Sequence, residues 1–169
     1  MADLMRCYGS TAHGMNAYDA YLHILSELDI PHARESLAKM LVCDFLAANE
    51  DRHEMNLGVV RDTETGSFTR VAPLFDNGRS FFFAARRKAD LERKLFRYTA
   101  HPFSEYPTTQ LAYVEDYAWF DPARLDGFPE ELADILAANE EAPAWFPQAS
   151  AEQFARRLER AIEMAEERS

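Results

Sequence analysis

Three side chains in the first half of the sequence have the types and spacing for phosphoryl transfer. Asp51 and Asn56 lie five residues apart in the segment Ala48-Asn49-Glu50-Asp51-Arg52-His53-Glu54-Met55-Asn56-Leu57-Gly58. Asp76 follows in Ala72-Pro73-Leu74-Phe75-Asp76-Asn77-Gly78-Arg79-Ser80. A carboxylate on a short loop can accept the proton of an attacking hydroxyl. An amide oxygen five residues on can reach a Mg²⁺ ion, and a second carboxylate can bind metal that bridges nucleotide phosphates. Taken singly, Asp51 and Asn56 also suit the end of a helix and the start of a turn. The chemical reading rests on the order helix, Asp-x4-Asn, hairpin, Asp-x-Gly.

The elements around these residues are legible in the apolar pattern. Tyr18, Tyr21, Leu22, Leu25 and Leu28 recur at helical spacing over 17–28, and Pro31 disfavours a helical Ile30. Leu37, Leu41 and Phe45 predict a second helix over 33–48, with Met40 and Val42 thickening its stripe. Two β-prone runs, Leu57–Arg61 and Phe68–Ala72, flank the polar segment Asp62–Ser67, which contains Gly66; this is a hairpin with a longer loop. The hairpin would hold the two metal ligands side by side. Further helices are expected over 88–98, from Pro129 to about Asn139, and from Ser150 onward. There Ser150 and Gln153 form a capping box and Phe154, Leu158, Ile162 and Ala165 one face. The string Leu-Ala-Ala-Asn-Glu at 46–50 and 136–140 has unmatched flanks and reads as two similar helix ends. One mainly α domain spanning 1–169, with a small β-hairpin, is the expected architecture.

Protein kinases place an Asp and an Asn at this five-residue spacing, followed by a metal-binding Asp beside a glycine. In this chain Asp51-Arg52-His53-x-x-Asn56 with Phe75-Asp76-x-Gly78 resembles the C-terminal domain of HipA-like kinases. These are atypical bacterial serine/threonine protein kinases that include toxins of toxin–antitoxin pairs. The resemblance is strongest from about Leu41 to Ser80. It implies the C-terminal lobe of a kinase-like fold, with Asp51 as catalytic base and Asn56 and Asp76 as ligands of Mg²⁺ and, through it, of ATP. It also implies a protein substrate or a regulatory partner. The D-R-H-x-x-N wording occurs as well in phosphatidylinositol kinases, where the His is assigned a catalytic part, so His53 stays open between the two patterns. Arg52 and His53 are expected to order the loop through hydrogen bonds, and Gly78 to serve backbone conformation.

The chain departs from the kinase pattern before Asp51. No Gly-rich strand loop with a phosphate-contacting lysine is legible there. Gly9-Ser10-Thr11-Ala12-His13-Gly14 has a P-loop's glycine spacing, but Met15-Asn16 stand where Lys-Ser/Thr is required. The three lysines, Lys39, Lys88 and Lys94, fall in expected helices. The expectation is therefore a piece of a longer kinase, a chain that receives an N-terminal lobe from a partner, or a catalytically incomplete binding or regulatory module.

Composition narrows the class. A net charge of -11 opposes sequence-independent nucleic-acid binding, which needs cations on phosphates. Arg86-Arg87-Lys88 reads as a solvated patch. No run approaches the roughly 18–20 apolar residues of a membrane span. The first six residues lack the basic-then-apolar order of a signal peptide, and Cys7 and Cys43 cannot build a disulfide framework, so a cytoplasmic protein is expected. Cys43, in an apolar run, reads as a small buried hydrophobe. His53-Glu54-Met55-Asn56-Leu57 begins like a zinc-peptidase helix, but Leu57 replaces the second His. Phe81-Phe82-Phe83 and Trp145-Phe146 are expected in the core.

Overall fold

The computed structural model describes residues 14–168. The weakly patterned start of the chain, with all but Gly14 of the P-loop-like glycine stretch, lies outside the described residues. Within them the fold is mainly helical, with six α-helices and one two-stranded antiparallel sheet. The order is α1 (Ala17–Glu27), α2 (Ala33–Ala47), β1 (Val59–Arg61), β2 (Phe68–Val71), α3 (Lys88–Lys94), α4 (Pro107–Leu111), α5 (Phe128–Ala137) and α6 (Phe146–Glu166). Short 3₁₀ turns lie at Glu54–Asn56 and Pro122–Leu125.

Local chemistry explains the first two helices. Asn16 caps α1, its side chain accepting from the Asp19 amide at 2.9 Å, and Asp19 sits in the first turn where the helix dipole favours an anion. The chain leaves α1 through Asp29 in a left-handed conformation, before Pro31 is reached. α2 is the central helix. Leu37, Met40, Leu41, Val42, Phe45 and Leu46 are all buried, so apolar residues wrap most of its circumference. It packs against α1, α4, α6 and β2.

The hairpin pairs Val59 with Val71 and Val60 with Arg70, then shifts register before Arg61 meets Phe68. Its loop closes on Asp62, whose carboxylate accepts from the amides of Glu64 and Thr65, both at 2.8 Å. Gly66 takes the positive φ the turn requires. The strands are shorter than their sequence runs, because beyond Val59 and Val71 the ladder keeps a single further bond, Ala72 N–H to Gly58 O.

Four expectations are corrected. α6 starts at Phe146, one turn before the supposed capping box, and buries Ser150 within the helix. Its most buried line runs through Phe154, Arg157, Ala161 and Met164, with Leu158 and Ala165 of the expected face half-buried beside it and packed against the core. The helix expected over 88–98 stops at Lys94. Cys43 is exposed, because on a helix packed from several sides it occupies the remaining solvent-facing strip. The aromatic runs divide: Phe82 and Phe146 are buried, whereas Phe83 is 58% exposed. Arg86, Arg87 and Lys88 are exposed.

No described helix is long and apolar enough to cross a membrane.

Candidate functional site

The site is built on the C-terminal end of α2. A helix leaves its last four carbonyls without intrahelical partners. Here all four are satisfied, and the partners define the site. Asp44 O accepts from Asn49 N at 2.9 Å and Phe45 O from Ala48 N at 3.2 Å, with Ala48 in a left-handed conformation. Leu46 O accepts from Arg157 Nε of α6 at 2.9 Å, and Ala47 O from Phe81 N at 2.7 Å. The segment after the hairpin and the last helix are thereby both tied to the end of α2. Glu50 N adds a bond to Arg79 O at 3.2 Å.

Arg52 is the hub of the loop that follows. Its side chain is fully buried and uses all three guanidinium nitrogens. Nε and Nη2 grip the Asp44 carboxylate at 2.8 and 2.9 Å, the bidentate geometry that makes Arg–carboxylate pairs strong. Nη1 donates to Phe75 O at 2.6 Å and to Asn56 O at 3.4 Å, and Nη2 also donates to Asn77 Oδ1 at 2.5 Å. One side chain thus holds α2, the 51–56 loop and the 75–77 segment together. Asn49 reinforces the hub: its amide donates to Asp44 Oδ1 at 3.0 Å, and its Oδ1 accepts from Asp51 N at 3.0 Å.

Asp51 is half-buried. Among the described residues its carboxylate has no hydrogen-bond or ion-pair partner, while its carbonyl accepts from Asn56 Nδ2 at 3.0 Å. A carbonyl can only accept, so this bond orients the Asn56 amide and leaves its Oδ1 without a partner among the described residues. Asn56 is otherwise buried in the 3₁₀ turn. Asp76 lies between two residues anchored on Arg52, Phe75 through its carbonyl and Asn77 through its amide oxygen. Asp76 itself is exposed, carries a left-handed φ of 55°, and has no side-chain partner among the described residues. The conformational demand expected at Gly78 falls instead on Asp76: a Cβ at Gly78 meets nothing within 4 Å, and its φ is not positive.

His53 caps the 3₁₀ turn, its Nδ1 accepting from Met55 N at 3.2 Å. In the neutral ring that bond places the proton on Nε2, so neither nitrogen keeps a free lone pair.

Sequence reasoning missed Asp44, Asn49 and Asn77. A signal for Asp44 was present: an aspartate in the middle of the apolar stripe of a helix needs a buried partner. Nothing local marks Asn49 or Asn77.

Behind the site, Arg157 is fully buried with its guanidinium 5.5 Å from the Phe82 ring centre. Its Nη1 and Nη2 have no partner among the described residues. Burial pulls its pKa down to about 10, with the neighbouring Tyr98 acting the other way. Burial pushes the Tyr98 phenol well above its ordinary range. Lys94 of α3 pairs with Glu50 at 2.5 Å and closes this side of the loop.

Among the described residues no group of three or more His, Cys, Asp or Glu side chains could hold a metal ion by itself. The oxygen donors at hand, the Asn56 amide and the Asp76 carboxylate, suit Mg²⁺, a hard cation that keeps waters and takes further oxygens from phosphates. No family model, curated protein or solved structure matches this chain.

Proposed function

We propose that the chain is the catalytic-loop and metal-binding half of a HipA-like serine/threonine protein kinase, transferring phosphate from ATP to a protein hydroxyl. The observation that supports this reading best is the Arg52 hub. It ties the backbone at Asn56 to the Phe75 carbonyl and the Asn77 side chain on either side of Asp76, while the carboxylates of Asp51 and Asp76 and the Oδ1 of Asn56 have no partner among the described residues. Polar groups held on a rigid frame but left uncommitted are what a site needs in order to bind and react.

In this reading Asp51 orients the incoming serine or threonine hydroxyl and takes its proton. Asn56 and Asp76 hold Mg²⁺, which when bound offsets the charge of the ATP phosphates. Arg52 and Asp44 position the two segments and touch neither substrate nor metal. A lobe that clamps the nucleotide is not among the described elements, so the complete site draws it from another segment or from a partner chain.

The test uses the complete kinase. Asp51→Asn is expected to keep Mg-ATP binding and lose most phosphate transfer, commonly about 10²–10⁴-fold for a general base. Asp76→Ala is expected to weaken Mg²⁺-dependent nucleotide binding itself. Near-normal transfer by Asp51→Asn would remove the proposed base.

A further inference from the structure

The stretch from Arg79 to Arg97 has a charge opposite to that of the rest of the chain. It holds seven of the 18 Lys and Arg residues and two of the 29 Asp and Glu residues. It therefore carries +5 in a chain of -11, so everything outside it sums to -16. The fold leaves this charge at the surface: Arg79, Arg86, Arg87, Lys88, Arg93 and Arg97 are all exposed. Two carboxylates from other elements reach in, Glu50 to Lys94 at 2.5 Å and Glu152 of α6 to Lys88 at 3.8 Å. Asp90 serves both Arg87 and Arg93. Cations still outnumber acids, and the side chains of Arg79, Arg86 and Arg97 have no hydrogen-bond or ion-pair partner among the described residues. Unanswered cations on an otherwise acidic molecule give an incoming anion one favoured place to dock. An open groove of about 440 Å³ lies there, lined by the 84–87 segment and by Asp90 and Lys94 of α3.

This cationic surface joins the candidate site at Glu50, the residue before Asp51. Lys94, on the groove wall, pairs with the Glu50 carboxylate, and Arg79 O accepts from Glu50 N at 3.2 Å. Resting on the kinase reading above, we propose that the surface docks an acidic segment of the protein substrate, whose carboxylates flank the acceptor serine or threonine and bring that hydroxyl to Asp51. A short acidic segment fits better than a nucleic acid. The seven residues of α3 span about 10 Å, and a polyanion extending past them meets a molecule that is otherwise acidic. Phe83, exposed just ahead of the groove in the chain, offers an apolar contact that a protein segment can answer. The larger groove at the start of α2, of about 660 Å³, has no comparable charge to offer, since its Arg34 is paired with Glu115 and its Glu35 with Lys39.

The probe is a fluorescein-labelled peptide with one serine flanked by glutamates, titrated by anisotropy against the 169-residue chain without nucleotide. It is expected to bind, and the same peptide with lysines for glutamates is not. Arg79→Ala combined with Arg86→Ala removes two exposed cations that have no side-chain partner among the described residues. The double variant is expected to fold as the parent does and to bind about tenfold more weakly, the scale of two exposed charge contacts. Arg124→Ala, which removes an exposed cation outside 79–97, is expected to bind as the parent does. No binding of the glutamate peptide overturns the proposal, as does equal affinity in the double variant or an equal loss in Arg124→Ala. Oligothymidylate of the same charge, bound as tightly, would make the occupant a nucleic acid. A dimer of the parent chain that the double variant dissociates in sedimentation would make it a second copy. Either result overturns the acidic substrate segment. The two readings fail separately. If Asp51→Asn abolishes transfer in the complete kinase while the double variant binds the peptide normally, the docking surface fails and the kinase reading stands. If peptide binding depends on Arg79 and Arg86 but Asp51→Asn leaves transfer intact, the catalytic assignment fails and the docking surface stands.

Discussion

Asp44 and Arg52 form the buried pair on which the candidate site depends, with Arg52 fully enclosed and both Asp44 oxygens engaged. Removing one partner leaves the other as an uncompensated buried charge, which costs about 3–5 kcal/mol. Asp44→Ala is therefore expected to lower unfolding free energy by that amount in urea titrations of this chain. Asp44→Asn, which keeps one acceptor, should cost less. A loss below about 1 kcal/mol in Asp44→Ala would mean that the hub is not what closes the loop. His53 belongs to the same scale. With Nδ1 committed to Met55 N, His53→Ala is expected to loosen the 3₁₀ turn and cost about 0.5–2 kcal/mol, the range for losing a helix cap. Transfer in the complete kinase should persist in that variant. Transfer lost in a folded His53→Ala that still binds Mg-ATP would move the base to the histidine, the phosphatidylinositol-kinase pattern.

α6 is an amphipathic helix whose most buried line contains an arginine. Arg157 closes the carbonyl end of α2, where the helix dipole favours a cation, yet two of its nitrogens are unpaired among the described residues. The consequence is readable in alkali. Burial lowers the folded pKa of Arg157 to about 10, well below its ordinary value, so above pH 10 the unfolded chain binds the extra proton and this group makes stability rise with pH. Tyr21 and Tyr98 act in the opposite sense. Burial raises both above the ordinary 10.0, so their contribution is complete below pH 10 and is lost as pH rises and only the unfolded phenols ionise. Each fully shifted group contributes a slope of about 1.4 kcal/mol per pH unit. Arg157→Met removes the offsetting slope, so its stability is expected to fall more steeply between pH 10 and 12 by about that amount per unit. Parallel curves for the variant and the parent in pH-dependent urea unfolding would show that Arg157 keeps its proton there.

For the molecule as a whole, the described residues form a helical body with the uncommitted groups of the loop at one end of its central helix. On the kinase reading proposed above, these elements supply only the metal side of a nucleotide site. The isolated chain is therefore expected to bind Mg-ATP weakly or not at all in calorimetric titration, with an affinity no tighter than about millimolar. Tight binding would reveal a phosphate clamp within the chain. The overall charge of -11 acts in the same direction, because it opposes a polyanion wherever no local cation answers it.

What the sequence determined by itself is the order of elements: α1 and α2, the loop with Asp51 and Asn56, the hairpin, then Asp76. Those features are local, since apolar period, turn residues and β-prone runs report on the few residues around them. The start of α6 misled for the same reason. A local Ser-x-x-Gln pattern imitates a cap, and Arg157, in the middle of the buried line, breaks the apolar period that would have marked the true face. Only the tertiary structure decided that Arg52 joins segments 23 and 25 residues ahead of it and that Arg157 reaches a carbonyl 111 residues back. It alone placed Cys43 at the surface and put the left-handed residue at Asp76. The physical reason is that a polar side chain inside a fold is stabilised by partners distant in the chain. Its own residue type shows that it needs them, and only the packed chain shows which they are.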